Sequence, residues 1–236
     1  MLARVYLPPF ITALFGGLFV ALGILTFGNA YIFDRLFIGV LIFTALICFK
    51  NINIVSLLTI ILLQRIIEEL AWAGLNDSYV AKELVYLLGL VMIYTFRYDP
   101  MVKFATPTLL LTIAAEIYWY VSDYPAPEVY WPVLLLLSNL FTRYMIFSRL
   151  EFVERYFPKK SQSTNLDWII YKLTGTTVII QSLLLLEYII RHVFELHQLL
   201  VMYHSYPYLV HGIAIFAIWA TFNESYKQIL PRLLKA

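Results

Sequence analysis

The feature that most constrains this chain is a succession of apolar runs, each about as long as a hydrocarbon core is thick. A helix needs ~20 residues to cross ~30 Å. Runs of that size fall near 8–27, 31–49, 53–72, 80–97, 102–121, 129–148, 167–189 and 207–223. Composition agrees: of 236 residues, 61% are hydrophobic and 14% charged, values foreign to water-soluble and disordered chains. The sequence therefore predicts an all-α, polytopic transmembrane helical bundle of about eight spans, forming a single integral membrane domain over 1–236. The first run begins within eight residues of the start and no small-residue cleavage site precedes the second, so it is expected to stay as a helix.

A net charge of +2 without a sustained basic patch excludes nucleic acid as a partner. The one cysteine, Cys48, lies inside an apolar run and excludes a disulfide scaffold. The predicted partners are the lipid bilayer and either another protein or a second copy of the chain. Ala13, Gly17 and Ala21, spaced by four, place small residues on one stripe of the first span where a neighbouring helix can approach.

Basic loop residues are retained on the cytoplasmic side. With the N-terminus inside, the inner loops and tails hold Arg4, Lys50, Arg97, Lys103, Arg149, Arg155, Lys159, Lys160, Lys227, Arg232 and Lys235, eleven of the seventeen basic residues. The outer boundaries hold only Arg35, Lys82 and Arg191. An even number of spans returns the C-terminus to the same side, so both termini are predicted to be cytoplasmic, in a bacterial-style inner membrane. The connections are short and rich in turn formers, except for 150–166, which reads as a flexible basic linker or a docking surface for a cytoplasmic partner or anionic headgroups. Segment 190–206 carries charges and histidines and stops at Pro207, which predicts an amphipathic interfacial helix or an extension of the seventh span.

Charge within the spans is lopsided. Asp34, Glu68, Glu69, Asp77, Glu83, Glu116, Asp123, Glu128, Glu187 and Glu195, ten of fifteen acids, fall in the outer half or at its boundary, with all four histidines, His192, His197, His204 and His211. An ionisable group in hydrocarbon needs a partner or a wet cavity. Gln64, Arg65, Glu68 and Glu69 are related by three- and four-residue steps, which predicts one inward face on the third span. Glu116 is the expected neighbour of Arg65, and Glu187 precedes Arg191 by four with His192 beside them, the order of a helical ion pair. The ion- or proton-site candidates are thus Arg65, Glu68, Glu69, Glu116, Glu187, Arg191, His192 and His211. Clustered carboxylates raise one another's proton affinity, and histidine titrates near neutral pH.

Tyr118, Trp119, Tyr124, Trp131, Tyr203 and Tyr206 read as an interfacial belt or as an aromatic-walled outer mouth. A second polar stripe, Ser138, Asn139 and Arg143 with Thr174, Thr176, Thr177 and Gln181, occupies the inner half. Histidines from two different elements, for example His192 with His211, could hold zinc or haem. No metal is assigned from sequence, no catalytic residue either, and any cofactor is unknown.

The segment EELAWAGL at 68–75 resembles the first motif of the CAAX-processing type of intramembrane protease in its paired glutamates, Glu68 and Glu69. Ala73 stands where that motif has arginine, and the later histidines of the family have no counterpart in spans four to six. The preferred expectation is therefore proton- or cation-linked transport, or a transporter subunit. A non-enzymatic membrane scaffold or sensor that binds a partner through its cytoplasmic loop comes second, and an intramembrane hydrolase third.

Overall fold

Every apolar run becomes a helix. The computed structural model describes residues 2–75, 79–125 and 129–233. Its helices are α1 (Leu2–Thr26), α2 (Ala30–Ile47), α3 (Ile52–Leu75), α4 (Tyr79–Thr95), α5 (Val102–Ser122), α6 (Tyr130–Tyr156), α7 (Asn165–Val193) and α8 (Val201–Leu233). Asp77, Glu128 and Lys235, counted above, lie outside the described residues.

Among the described residues five helices are long and apolar enough to cross a membrane: α1 from Pro9, α5, α6, α7 and α8 as far as Lys227. That corrects the expectation of eight spans, and the physical reasons are visible in two of the other helices. Arg65, Glu68 and Glu69 crowd the middle of α3, and the 17 residues of α4 rise only about 26 Å. The outward faces differ from those of a soluble protein. Leu25, Leu46, Leu70 and Val121 are 80%, 68%, 68% and 78% exposed, whereas Arg143, Arg149, Gln181 and Glu187 are buried. Large apolar side chains facing outward and charges facing inward are what a hydrocarbon solvent selects. The chain is an integral membrane protein.

Chain contacts define two compact units. The first comprises Met1–Leu62, Ser148–Ile170 and Val210–Ala236. In it α1 and α8 run antiparallel: Thr12 Oγ1 donates to Asn223 Oδ1 at 2.8 Å near one end, and His211 Nε2 lies 2.7 Å from the Gly23 carbonyl near the other. Phe15 and Phe222 fill the space between these points, with ring centroids 4.4 Å apart. Gly28, at φ +86°, makes the left-handed turn into α2, whose first turn is capped by the Asn29 side chain accepting from the Ile32 amide. Leu41, Leu57 and Leu58 are fully buried.

The same unit holds the α6–α7 connection, and here the sequence reading needs correcting. Helix α6 continues to Tyr156 and α7 starts at Asn165, so the connection is 157–164 instead of 150–166. It is also tied down. Buried Arg149 donates to the Asn53 carbonyl, to Ser56 Oγ, to the Gln162 carbonyl at 3.0 Å and to Asp167 Oδ2 at 2.6 Å. Asn53 bonds the turn from the other side, donating to the Lys160 carbonyl and accepting from the Gln162 amide. Asp167 in turn accepts from the amide and hydroxyl of Thr164 just before α7. A guanidinium with several directed donors fixes what composition alone reads as a flexible linker.

The second unit comprises Leu63–Phe147 and Tyr171–Leu209. Its core is apolar, built on Val85, Leu109, Trp119, Leu137, Leu140, Val178 and Leu185 among others. Helix α5 ends where Asp123 takes φ 52° and returns its amide to the Trp119 carbonyl. Segment 190–206 is not an interfacial helix. Residues 190–193 end α7, 194–200 form an irregular turn with Glu195 at φ 57°, and 201–206 open α8. Pro207 therefore does not terminate a helix but sits in the second turn of one.

The Arg149 clamp has a direct consequence. Arg149→Gln should free the 157–164 turn, so that limited trypsin cleavage after Lys159 and Lys160 in membrane vesicles becomes several-fold faster than in wild type. An unchanged rate would mean the turn is held by something else.

Candidate functional site

One connected group of polar side chains in the second unit lies between α3 and α6. Glu68 is buried and accepts three hydrogen bonds, from Gln64 Nε2 at 3.0 Å, Arg65 Nη1 at 3.1 Å and Ser138 Oγ at 2.6 Å. Gln64 Oε1 accepts from Thr142 Oγ1 at 2.9 Å. Gln64 and Glu68 are one turn apart on α3, and Thr142 and Ser138 one turn apart on α6 in the opposite sense, so the two bonds form rungs between antiparallel helices. A cavity of about 300 Å³ opens beside them, walled by Ile67, Leu88, Met92 and Phe141 and reaching Gln64 and Ser138.

The remaining candidates are arranged differently. Glu69, next to Glu68 in sequence, is exposed, so the paired carboxylates face apart. Glu116 is half-buried and accepts from the Tyr86 hydroxyl at 3.0 Å. Glu187 spends its two oxygens on backbone: Oε2 accepts from the Met202 amide at 2.6 Å and Oε1 from the Tyr203 amide at 2.9 Å. These are unbonded first-turn amides of α8, at the positive end of its dipole, and a carboxylate satisfies both features at once. The i,i+4 ion pair expected between Glu187 and Arg191 is thus replaced by a helix cap, while the Arg191 guanidinium lies 5.7 Å from the centre of the Tyr203 ring.

His192 is set among rings. Its Nδ1 lies 3.2 Å from the Tyr124 hydroxyl, and its ring is 4.5 Å from Tyr188 and 6.2 Å from Trp119. His211 belongs to the first unit, bonded to Gly23 and packed 4.2 Å from Phe33. Among the described residues no three His, Cys, Asp or Glu side chains converge as metal ligands would.

The aromatic candidates fall into separate groups. Trp119 and Tyr124 join His192; Trp131 packs edge-on against Trp72 at 4.8 Å; Tyr203 meets His204 at 5.4 Å; Tyr206 is half-buried, apart from these. Tyr118 is 53% exposed, a position suited to an interfacial belt.

Two ion pairs built on buried arginines were not legible from sequence. One is the Arg149–Asp167 clamp. The other joins Arg143, buried on α6, to Asp99 in the α4–α5 turn: Nη2 and Nε donate to the two carboxylate oxygens at 3.0 and 3.1 Å. Tyr171 completes the group, its hydroxyl 3.2 Å from Asp99 Oδ2, its carbonyl accepting from Arg143 Nη1 and its ring 3.7 Å beneath the guanidinium. Gly175 lets the guanidinium lie there, because a Cβ at that position would sit on Nη1. Asp99 reads in sequence as a turn former, and only Arg143, deep in an apolar run, signals that a distant acid must answer it.

No family model, curated protein or solved structure matches this chain. Its function has to be argued from these side chains.

The Asp99–Arg143 pair supplies a quantitative expectation. Arg143→Met strands a partly buried carboxylate and should destabilise the protein in denaturation from micelles, by less than the ~3–5 kcal/mol of a fully buried pair, whereas the Asp99→Asn, Arg143→Met double variant should recover most of the loss. A double variant as unstable as the single one would contradict the pairing.

Proposed function

We propose that the chain is a multi-pass integral membrane protein with the 157–164 turn on the cytoplasmic side, and that it acts as a non-enzymatic subunit docking a cytoplasmic partner on that turn. The observation that carries this reading is the clamp of Arg149, Asn53 and Asp167, which holds the turn in one conformation while Lys159 and Lys160 remain exposed. A preformed surface loses little entropy on binding. The excess of Lys and Arg in the expected inner loops supports the orientation. The charge of Glu68 is met by donors from its own helix and from α6. The local satisfaction of Glu68, Glu116 and Glu187 weighs against transport, because a conducting acid must be free to change partners. The bacterial cytoplasmic membrane is the setting this reading assumes.

One observation favours a second reading, proton or cation movement: the 300 Å³ cavity reaches Gln64 and Ser138, both bonded to Glu68. The two separate by experiment. On the first reading, a photo-crosslinker at position 159 captures one discrete protein in native membranes, Arg149→Gln abolishes that adduct, and liposomes holding the purified protein show no pH change across an imposed gradient. Protein-dependent flux lost in Glu68→Gln, with no discrete adduct, would establish the second.

A further inference from the structure

A cavity of about 190 Å³ lies between α2 and α8 in the first unit, walled by Phe43, Ile47 and Cys48 on one side and by Phe222, Ser225 and Tyr226 on the other. Its α8 wall is fixed, because the Phe222 ring packs 4.4 Å from Phe15 and 5.6 Å from Phe19. Its α2 rim faces outward, Phe43 and Ile47 being 55% and 49% exposed.

One group in this apolar lining is unanswered. Thr26, Thr44, Thr112 and Thr142 each return their hydroxyl to the carbonyl four residues back in their own helix, the usual course for a hydroxyl that meets no water. Ser225 does not. It is 2% exposed, and its Oγ has no hydrogen-bond partner among the described residues. Thr221, one turn earlier, shares that condition, but of the two it is Ser225 that lines the cavity.

Leaving a buried donor unmet is unfavourable, so the cavity selects an occupant that brings an acceptor. Hydrocarbon chains bring none. The level of the cavity says which acceptor is at hand. Cys48 caps the end of α2 and Lys50 is exposed two residues on, while Ser225 stands two residues before Lys227, where the apolar stretch of α8 ends. Both walls thus lie where apolar sequence gives way to charge, the level at which hydrocarbon meets the polar layer of a bilayer. The acceptors native to that level are the ester carbonyls of glycerophospholipids. Size agrees, since an apolar cavity of about 150 Å³ takes a molecule as large as benzene. This one seats a carbonyl and the first few carbons of its chain, and the rest of the chain leaves past Phe43 and Ile47.

We propose that this cavity binds the acyl ester of a glycerophospholipid, its carbonyl accepting from Ser225 Oγ and its first carbons lying between Phe43, Ile47 and Phe222. A trapped water would meet Ser225 but leave the apolar walls facing it. A neighbouring helix would cover the rim but brings no spare acceptor, its carbonyls being bonded internally. The inference requires a membrane protein and is independent of docking on the 157–164 turn.

The test uses the full chain in an alkyl maltoside, a detergent without an ester. The micelles are supplemented with a diacyl phosphatidylcholine or with its dialkyl ether analogue, alike in headgroup and chains but lacking the carbonyls. Cys48, the one cysteine of the chain, lines the cavity and reports occupancy through its alkylation by N-ethylmaleimide. The ester lipid should slow alkylation about fivefold more than the ether lipid, the weight of one net hydrogen bond. Ser225→Ala should erase that difference. Thermal unfolding is a second readout that needs no reactive thiol: the ester lipid should raise the midpoint further than the ether lipid in wild type, and by the same amount in Ser225→Ala. The wild-type comparison of the two lipids stands even if the variant fails to fold. Alkylation rates and midpoints that do not distinguish the two lipids, as a trapped water would give, or an ester preference that survives Ser225→Ala, would overturn the proposal.

Discussion

A charge within hydrocarbon must be answered by a partner that the chain itself provides, and this requirement organises the interior. Helix α6 provides much of the answer. Ser138 and Thr142 bond the α3 side chains, Arg143 pins the α4–α5 turn through Asp99, and Arg149 pins the turn to α7 through Asp167 and Gln162. The contacts to α3 and to the α4–α5 turn join elements far apart in sequence, and all of them are directed hydrogen bonds. Apolar packing does not discriminate strongly between neighbours that are all leucine-rich, so the polar contacts are what specify register. Arg149 and Arg143 illustrate the choice of arginine over lysine, since each engages several acceptors at fixed angles.

The helices were legible in the sequence because their periodicity is swamped by plain apolar length. What was not legible is where they stop. The end of α6 and the start of α7 moved inward because Asp167 and Thr164 cap α7, shortening a connection that its Lys, Ser and Gln content suggested was loose. The 190–206 segment broke in two because Glu187 reaches forward to the first amides of α8. Sequence spacing favoured Arg191 as its partner, but an ion pair in the same helix cannot satisfy amides that have no other acceptor. Spacing likewise put Glu68 and Glu69 on one face. The ~100° between successive residues is enough to bury the first and expose the second. Asp99 was missed for a related reason, as nothing local marks a turn aspartate that a buried arginine will claim.

The difference between eight helices and five plainly apolar spans is itself a product of this chemistry. α3 carries three charges because Glu68 has donors waiting on α6 and on its own preceding turn. The outward faces of α1 and α8 carry almost none, and only 17% and 22% of their apolar windows are buried, against 61% for α6. The least buried helices are the ones left to meet lipid.

The central claim is that the buried carboxylates serve as locks between helices and not as mobile charge carriers. A double-mutant cycle on Glu68→Gln and Ser138→Ala, read as unfolding free energy in micelles, tests it most directly. A coupling of about 1 kcal/mol, in the range of interhelical hydrogen bonds within bundles, is predicted. Strictly additive effects would show that the two side chains do not hold α3 to α6, and would contradict the account.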